Sequence, residues 1–207
     1  MTASTQIDPK IGSAQSSILL IDECDLETLY KSTLEQSHYH IKQTIYSSAM
    51  LLREVEKTEP DIILLSLKSP SRILLETLTT LSQHAPKPVV LLCQQDKPLL
   101  VKDILNSGVT SYIAGESSVS RLTNILDVAR LRFEQNRILI EELNDTRQQL
   151  VERKWVEQAK SLLIENHKMT EREAYNSMRQ MAMNNGQKLV DVAKNMVSTM
   201  KLISNAN

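Results

Sequence analysis

Five short apolar runs alternate with stretches of helical spacing over the first half of this chain, and that alternation leaves few folds open to it. Ile18-Leu19-Leu20-Ile21 ends in Asp22-Glu23, as a buried parallel strand does at its carboxyl end. Leu26, Leu29, Tyr30 and Leu34 then share one face of a helix running to about Gln36. Ile41 to Ile45 reads as a second strand and Ala49 to Lys57 as a second helix. Asp61 to Ser66 forms a third strand, and helical spacing returns over Ile73 to Leu81. Pro88 to Cys93 and Ser111 to Ile113 supply the last two strands, with a helix over Leu99 to Asn106 that Gly108 breaks. Five such strand–helix units predict an α/β domain over residues 18–118, a doubly wound parallel sheet of flavodoxin type.

In sheets of this kind the functional crevice lies at the carboxyl ends of the strands. Here those ends carry Asp22-Glu23, Ser66, Cys93 and Gly115-Glu116. The pattern resembles the receiver domain of two-component response regulators, in which the acidic pair after the first strand holds a divalent cation. The resemblance also implies an aspartate ending the third strand, Ser or Thr ending the fourth, and Lys-Pro after the fifth. Ser66, Cys93 and Gly115-Glu116 depart from all three. Phosphoryl transfer to protein needs a carboxylate nucleophile, a cation to neutralise charge, and a clamp for the phosphoryl oxygens. A degenerate site, a pseudo-receiver that receives its signal by protein contact, is therefore expected. Asp22 and Glu23 read as a solvated acidic pair, with residual cation binding as the alternative. No cofactor and no metal are expected.

From Val119 the chain runs to Met183 without Gly or Pro. Leu126, Phe133 and Ile140 recur every seven residues, as do Leu122, Ala129, Asn136, Leu143 and Leu150 in the offset series. This a/d pattern predicts a coiled-coil dimer stem over 119–152, with Asn136 as the polar seam residue that fixes register. Leu122 and Ile125 are expected to pack on the sheet instead. The parallel homodimer so formed would carry two C-terminal modules side by side.

Residues 153–207 read as a small all-α, three-helix domain. Thr170-Glu171-Arg172-Glu173 is a capping box that starts its second helix, whose apolar face carries Ala174, Tyr175, Met178 and Met181 or Ala182. Asn184-Asn185-Gly186 ends that helix, and Leu189, Val192, Ala193, Met196 and Val197 give the third its apolar face. Ala159, Ala174 and Ala193 are expected where helices approach closely. Trp155 and the methionines 178, 181, 183, 196 and 200 read as core.

The run from Arg153-Lys154-Trp155 through Ala159-Lys160-Ser161-Leu162-Leu163 resembles the opening signature of the ANTAR domain. Thr170 to Tyr175, Met178 to Met183 and Leu189 to Ala193 follow it in the order the family requires. Ser161 replaces the glycine that the family usually carries there. Ser69-Pro70-Ser71-Arg72 after the third strand, and the receiver–stem–ANTAR order, further resemble the nitrate-responsive NasT type and the amidase-regulator AmiR type. The resemblance implies an antiterminator that binds paired hairpins in leader RNA and prevents terminator formation. It also implies a ligand-sensing inhibitory partner resembling periplasmic binding proteins, of the NasS or AmiC kind, and a role in nitrate or nitrite assimilation.

Charge agrees in sign. Residues 151–207 carry nine Lys/Arg against six Asp/Glu, +3, so the rest of the −1 chain stands at −4. With only Trp155 and Tyr175 as aromatics in the module, RNA contact is assigned to Arg153, Lys154, Gln158, Lys160, Arg179, Asn184 and Lys188. Arg153 and Lys154 are read as phosphate contacts. A DNA-binding transcription factor is the rival reading, since receivers commonly precede helix-turn-helix domains; a pure protein adaptor is another. No enzyme is expected, because His38, His40, His84 and His167 lack nucleophile or metal partners. Cys24 and Cys93 read as core hydrophobes of a reducing cytoplasm, no apolar run is long enough to span a membrane, and the polar residues 1–17 read as a disordered tail, not a signal peptide.

Overall fold

The computed structural model describes residues 15–35, 37–95, 98–115 and 121–204. The greater part of the expected tail (residues 1–14), Gln36, Glu116 and Val119 lie outside them. The chain divides into two compact units, residues 1–136 and 137–207.

The first unit is a five-stranded parallel sheet in the order β2-β1-β3-β4-β5, formed by β1 (Ser16–Asp22), β2 (Tyr39–Ile45), β3 (Ile62–Leu67), β4 (Val89–Cys93) and β5 (Ser111–Ala114). Between the strands run α1 (Glu27–Leu34), α2 (Leu51–Thr58), α3 (Arg72–His84) and α4 (Val101–Asn106); α2 and α4 are each led by a single 3-10 turn. The central strand β3 is buried along all six residues, which is why its sequence is apolar without alternation. Period two nonetheless sorts its side chains. Leu19, Ile21, Ile63 and Leu65 pack beneath α2, α3 and α4, with Leu51, Val55, Leu74, Leu78 and Ile104. Ile18, Leu20, Ile62 and Leu64 face the other way, onto Tyr30 and Leu34 of α1 and Leu122, Leu126 and Ala129 of α5 (Leu122–His167). The result is the flavodoxin-like, receiver-type three-layer fold.

Two local features hold this frame. Gly108 turns the chain into β5 at φ +89°, and a Cβ there would stand 2.5 Å from that of Ser82 on α3. The start of α5 is tied to the sheet edge through Asp127, which accepts from the Tyr39 hydroxyl at 2.7 Å, while Arg130 donates to Ser16 Oγ. Burial, reinforced by Asp127, pushes the Tyr39 phenol well above its ordinary range.

Three expectations need correction here. Strand β1 begins at Ser16, within the expected tail, because Ser17 is held by Asp61: its N–H and hydroxyl both donate to Oδ2, at 2.7 and 2.8 Å. Leu126 is not a stem residue. It is fully buried under the sheet with Leu122 and Ala129. Cys24 is half-buried at a strand end, whereas Cys93 does lie in the core.

The second unit consists of the remainder of α5, then α6 (Glu171–Asn185) and α7 (Leu189–Ser204). Thr170 and Glu173 form the reciprocal capping box at the start of α6, and Gly186 closes it in the left-handed conformation. Ala159, Ala174 and Ala193 are all fully buried, so the three backbones approach closely around Leu163, Met178 and Val197, with Trp155 packed against them. By contrast, the middle of α5 has little around it within its own chain. Ile140 and Leu143 are each 49% exposed and Leu150 62%, Asn136 is exposed, and Phe133 is half-buried. None of the described helices is long and apolar enough to cross a membrane.

Candidate nucleic-acid interface and strand-end crevice

The crevice of the first unit lies where β1 and β3 end side by side, the point at which strand order reverses. Parallel register sets Asp22 directly opposite Ser66. Both are buried, so Asp22 is not the solvated acid that sequence predicts. Its Oδ1 accepts from the Cys24 N–H at 3.0 Å, and its Oδ2 is sealed from solvent with no hydrogen-bond partner. Ser66 Oγ and the Tyr30 hydroxyl share a hydrogen bond of 3.0 Å. Burial raises both the Tyr30 phenol and the Cys24 thiol, each partly opposed by a hydrogen bond with Ser66. Glu23 is exposed, and its Oε1 accepts weakly from the Ser48 N–H at 3.3 Å. Gly115 (φ +85°) donates its N–H to the Cys93 carbonyl, and Glu116 lies beyond the described residues.

A divalent cation, which receiver folds hold at this place, does not suit these residues. It needs several oxygen ligands with room for water, whereas Asp22 Oδ2 is closed off and the third-strand position offers a hydroxyl already bonded to Tyr30. Among the described residues no group of three or more His, Cys, Asp and Glu is placed to hold a metal. Among the described residues the crevice offers no open cation site.

In the second unit, the residues assigned to RNA fall into two classes. Arg153 and Lys154 on α5, Arg179 and Asn184 on α6, and Lys188 before α7 are exposed, and the four cations make no ion pair among the described residues. Gln158 is half-buried. Lys160 is different in kind: only 10% of its side chain is exposed, and its Nζ lies 2.7 Å from Glu171 Oε1 on α6 and 2.9 Å from Glu157 Oε2 on α5. Glu171, then Glu157, hold the ammonium pKa up, and Lys160 holds that of Glu171 down. This cation joins two helices.

Three residues read from sequence as core turn outward. Tyr175 is 41% and Met183 73% exposed, while Ala182 takes the buried position. Tyr175, Arg179 and Met183 recur at intervals of four and so line one flank of α6 as an aromatic, a cation and a thioether. Met181, also assigned to the core, is exposed on the opposite flank. The helical spacing that places Tyr175 near the apolar face of α6 holds equally for a residue on its border, so the two readings separate only once α5 and α7 are in position.

Residues 144–197 match the ANTAR domain. The transcriptional regulatory protein PdtaR of Mycobacterium tuberculosis is 28% identical to this chain over 152 residues, 73% of each protein. Among solved structures, the signal receiver domain of a modulated diguanylate cyclase from Desulfovibrio desulfuricans G20 superposes with a TM-score of 0.50 at 16% identity, over 58% of this chain and 98% of its own. A two-component response regulator of the LuxR family from Aurantimonas sp. SI85-9A1 gives 0.50 at 14% identity, over 60% of this chain and 99% of its own. At these identities the two structures establish the receiver fold and nothing of its chemistry.

Proposed function

We propose that this protein is an RNA-binding transcription antitermination regulator. Two copies join through α5, their ANTAR modules engage a two-hairpin leader RNA, and terminator formation is blocked. The observation that carries this reading is the ANTAR match falling on a three-helix module whose exposed cations Arg153, Lys154, Arg179 and Lys188 make no ion pair among the described residues. Tyr175 beside Arg179 adds one ring on which an unpaired base can stack. A ligand-sensing protein, of the kind that resembles periplasmic binding proteins, holds the regulator inactive until its small molecule arrives. Nitrate or nitrite assimilation is the setting that the Ser69-Pro70-Ser71-Arg72 segment favours. The closed crevice, with no carboxylate at position 66, favours control by such protein contact over control by an aspartyl phosphate.

Gel-shift titration of the full-length protein against a two-hairpin leader RNA from its own genomic neighbourhood tests the reading. Duplex DNA of equal length and a loop-scrambled RNA are the controls. Affinity restricted to the intact hairpins is the expected result, and preference for the DNA would establish the transcription-factor rival instead.

Lys160 is assigned a positioning role and not an RNA contact, because its charge is already held by two carboxylates. Each lost phosphate contact lowers the slope of log affinity against log salt by about one. Arg179→Ala is expected to lower it by that amount. Lys160→Met, which keeps the buried stem of the side chain, is expected to leave it unchanged while lowering the thermal midpoint. A slope reduced equally by both variants would return Lys160 to the RNA-contacting set.

A further inference from the structure

Between α6 and α7, on the flank of α6 opposite Tyr175 and Arg179, runs a groove of about 380 Å³. Its more buried wall is apolar, with Val192 and Met196, and Met181 stands at its edge. Its exposed rim is made of three amides, Asn185, Gln187 and Asn195. None of those side chains has a hydrogen-bond partner among the described residues, so each offers a free donor and a free acceptor. Thr199 is also on the rim, but its hydroxyl donates to the Asn195 carbonyl.

Among the described residues, no charged side chain lines the groove. That disfavours an isolated phosphate or carboxylate as its ligand, since either would lose hydration without meeting a cation. What it suits is a flat, neutral ring with donors and acceptors on its edge. Thioethers supply a polarizable surface for the ring face, and amides pair with base edges in bidentate fashion. Cations flank the groove at the next residue along the chain on either side: Lys188 follows Gln187, and Lys194 precedes Asn195, both exposed and without an ion pair among the described residues. Asp191 is the acid on that stretch, so positive charge prevails there. A neutral slot between two cations matches a nucleotide, whose base is uncharged and whose neighbouring phosphates are not.

We propose that the α6–α7 groove is a base-binding site, which takes one unpaired nucleobase flipped from an RNA hairpin loop and reads its edge with Asn185, Gln187 and Asn195. The proposal rests on the RNA reading above and deepens it: the exposed cations position the RNA, and the groove reads sequence.

The test uses the full-length protein and the same two-hairpin RNA, with loop nucleotides replaced one at a time by abasic sites. Gln187→Leu with Asn195→Leu is expected to weaken binding tenfold or more, by roughly the worth of a bidentate base contact, at an unchanged salt slope. One abasic position is expected to cost wild type a similar factor and to cost the variant nothing further, the signature of a direct pair. Asn195→Asp, which keeps the size of the side chain, is expected to weaken binding in the same direction. All of these side chains are exposed, and circular dichroism is the check that the variants fold. Wild-type affinity in both variants, or an abasic penalty that persists in full, overturns the groove while leaving the RNA reading standing. A changed sedimentation coefficient in the leucine variant, with RNA affinity retained, assigns the groove to a second copy and overturns it likewise. Failure of the wild-type protein to bind the RNA removes both readings together.

Discussion

Replacing Ile140 and Leu143 together by lysine is expected to lower affinity for a two-hairpin RNA by about two to four orders of magnitude, the range over which tethering two binding modules acts. Ile140 ends the series that starts at Leu126, Leu143 belongs to the offset series, and both are half exposed in the single chain. Leu150 follows one heptad after Leu143, and Ile138, Leu139 and Val151 are exposed on the same stretch. A helix that exposes this much apolar surface gains stability by covering it, at roughly 25 cal/mol per Å². In the proposed dimer a second copy of the same segment would cover it in register, with Asn136 opposite Asn136. Lysines at Ile140 and Leu143 would face each other across that seam and drive the copies apart. Sedimentation should then report a monomer, and affinity for a single hairpin should stay within about twofold of wild type, because no residue of the module is altered. A variant that remains dimeric and keeps its two-hairpin affinity would show that the seam lies elsewhere on α5.

That seam also shows where sequence alone misleads. A heptad repeat and a straight helix drift apart by only about 20° per seven residues, so over two turns a stem position and a sheet-packing position carry the same apolar residue. Leu126 fits both patterns and belongs to the sheet; Ile140 and Leu143, beyond its reach, stay uncovered. The series starting at Leu126 also meets Arg147 one heptad after Ile140, which confines the apolar seam there to the offset series.

The strands were easier to read, because buried parallel strands are apolar along their whole length and little else in a domain of this size is. Where strand residues are polar the reading falls short: Ser16 and Tyr39-His40 join the sheet through backbone pairing that no side-chain pattern announces. The ANTAR match and the α6 caps were likewise legible, being local in sequence. Lys160 was not. Whether a helical lysine is solvated or pinned depends on a carboxylate eleven residues away across a turn, and only the packing of α5 on α6 brings Glu171 to it. The groove between α6 and α7 was out of reach for the same reason, since its amides come from two helices and their connection.

Restoring an aspartate at position 66 is expected to damage the first unit and not to revive a phospho-accepting site. Ser66 is 2% exposed and Asp22 1%, and they sit opposite each other on neighbouring strands about 4.8 Å apart. Asp22 already has one oxygen sealed and unpartnered. Ser66→Asp adds a second carboxylate to that space and removes the hydroxyl that Tyr30 bonds; Lys68, just past the end of β3, acts on the neighbouring Cys24 but makes no ion pair with Asp22 among the described residues. Leaving a buried charge without its partner costs about 3–5 kcal/mol, and part of that is expected here at pH 7, about 2–4 kcal/mol. Like charge and burial raise the new carboxyl in the folded state above its unfolded value near 4. The folded protein then holds the extra proton, so the deficit grows with rising pH and shrinks as pH falls towards about 4. Urea unfolding of the variant and wild type at pH 5 and pH 7 should show the gap widening at the higher pH. Ser66→Ala loses only the neutral hydrogen bonds to Tyr30 and the Cys24 thiol, about 1–2 kcal/mol together, and should do so equally at both. An aspartate variant as stable as wild type at pH 7 would mean that water reaches Asp22 freely, and that the crevice is open enough to admit an anion after all.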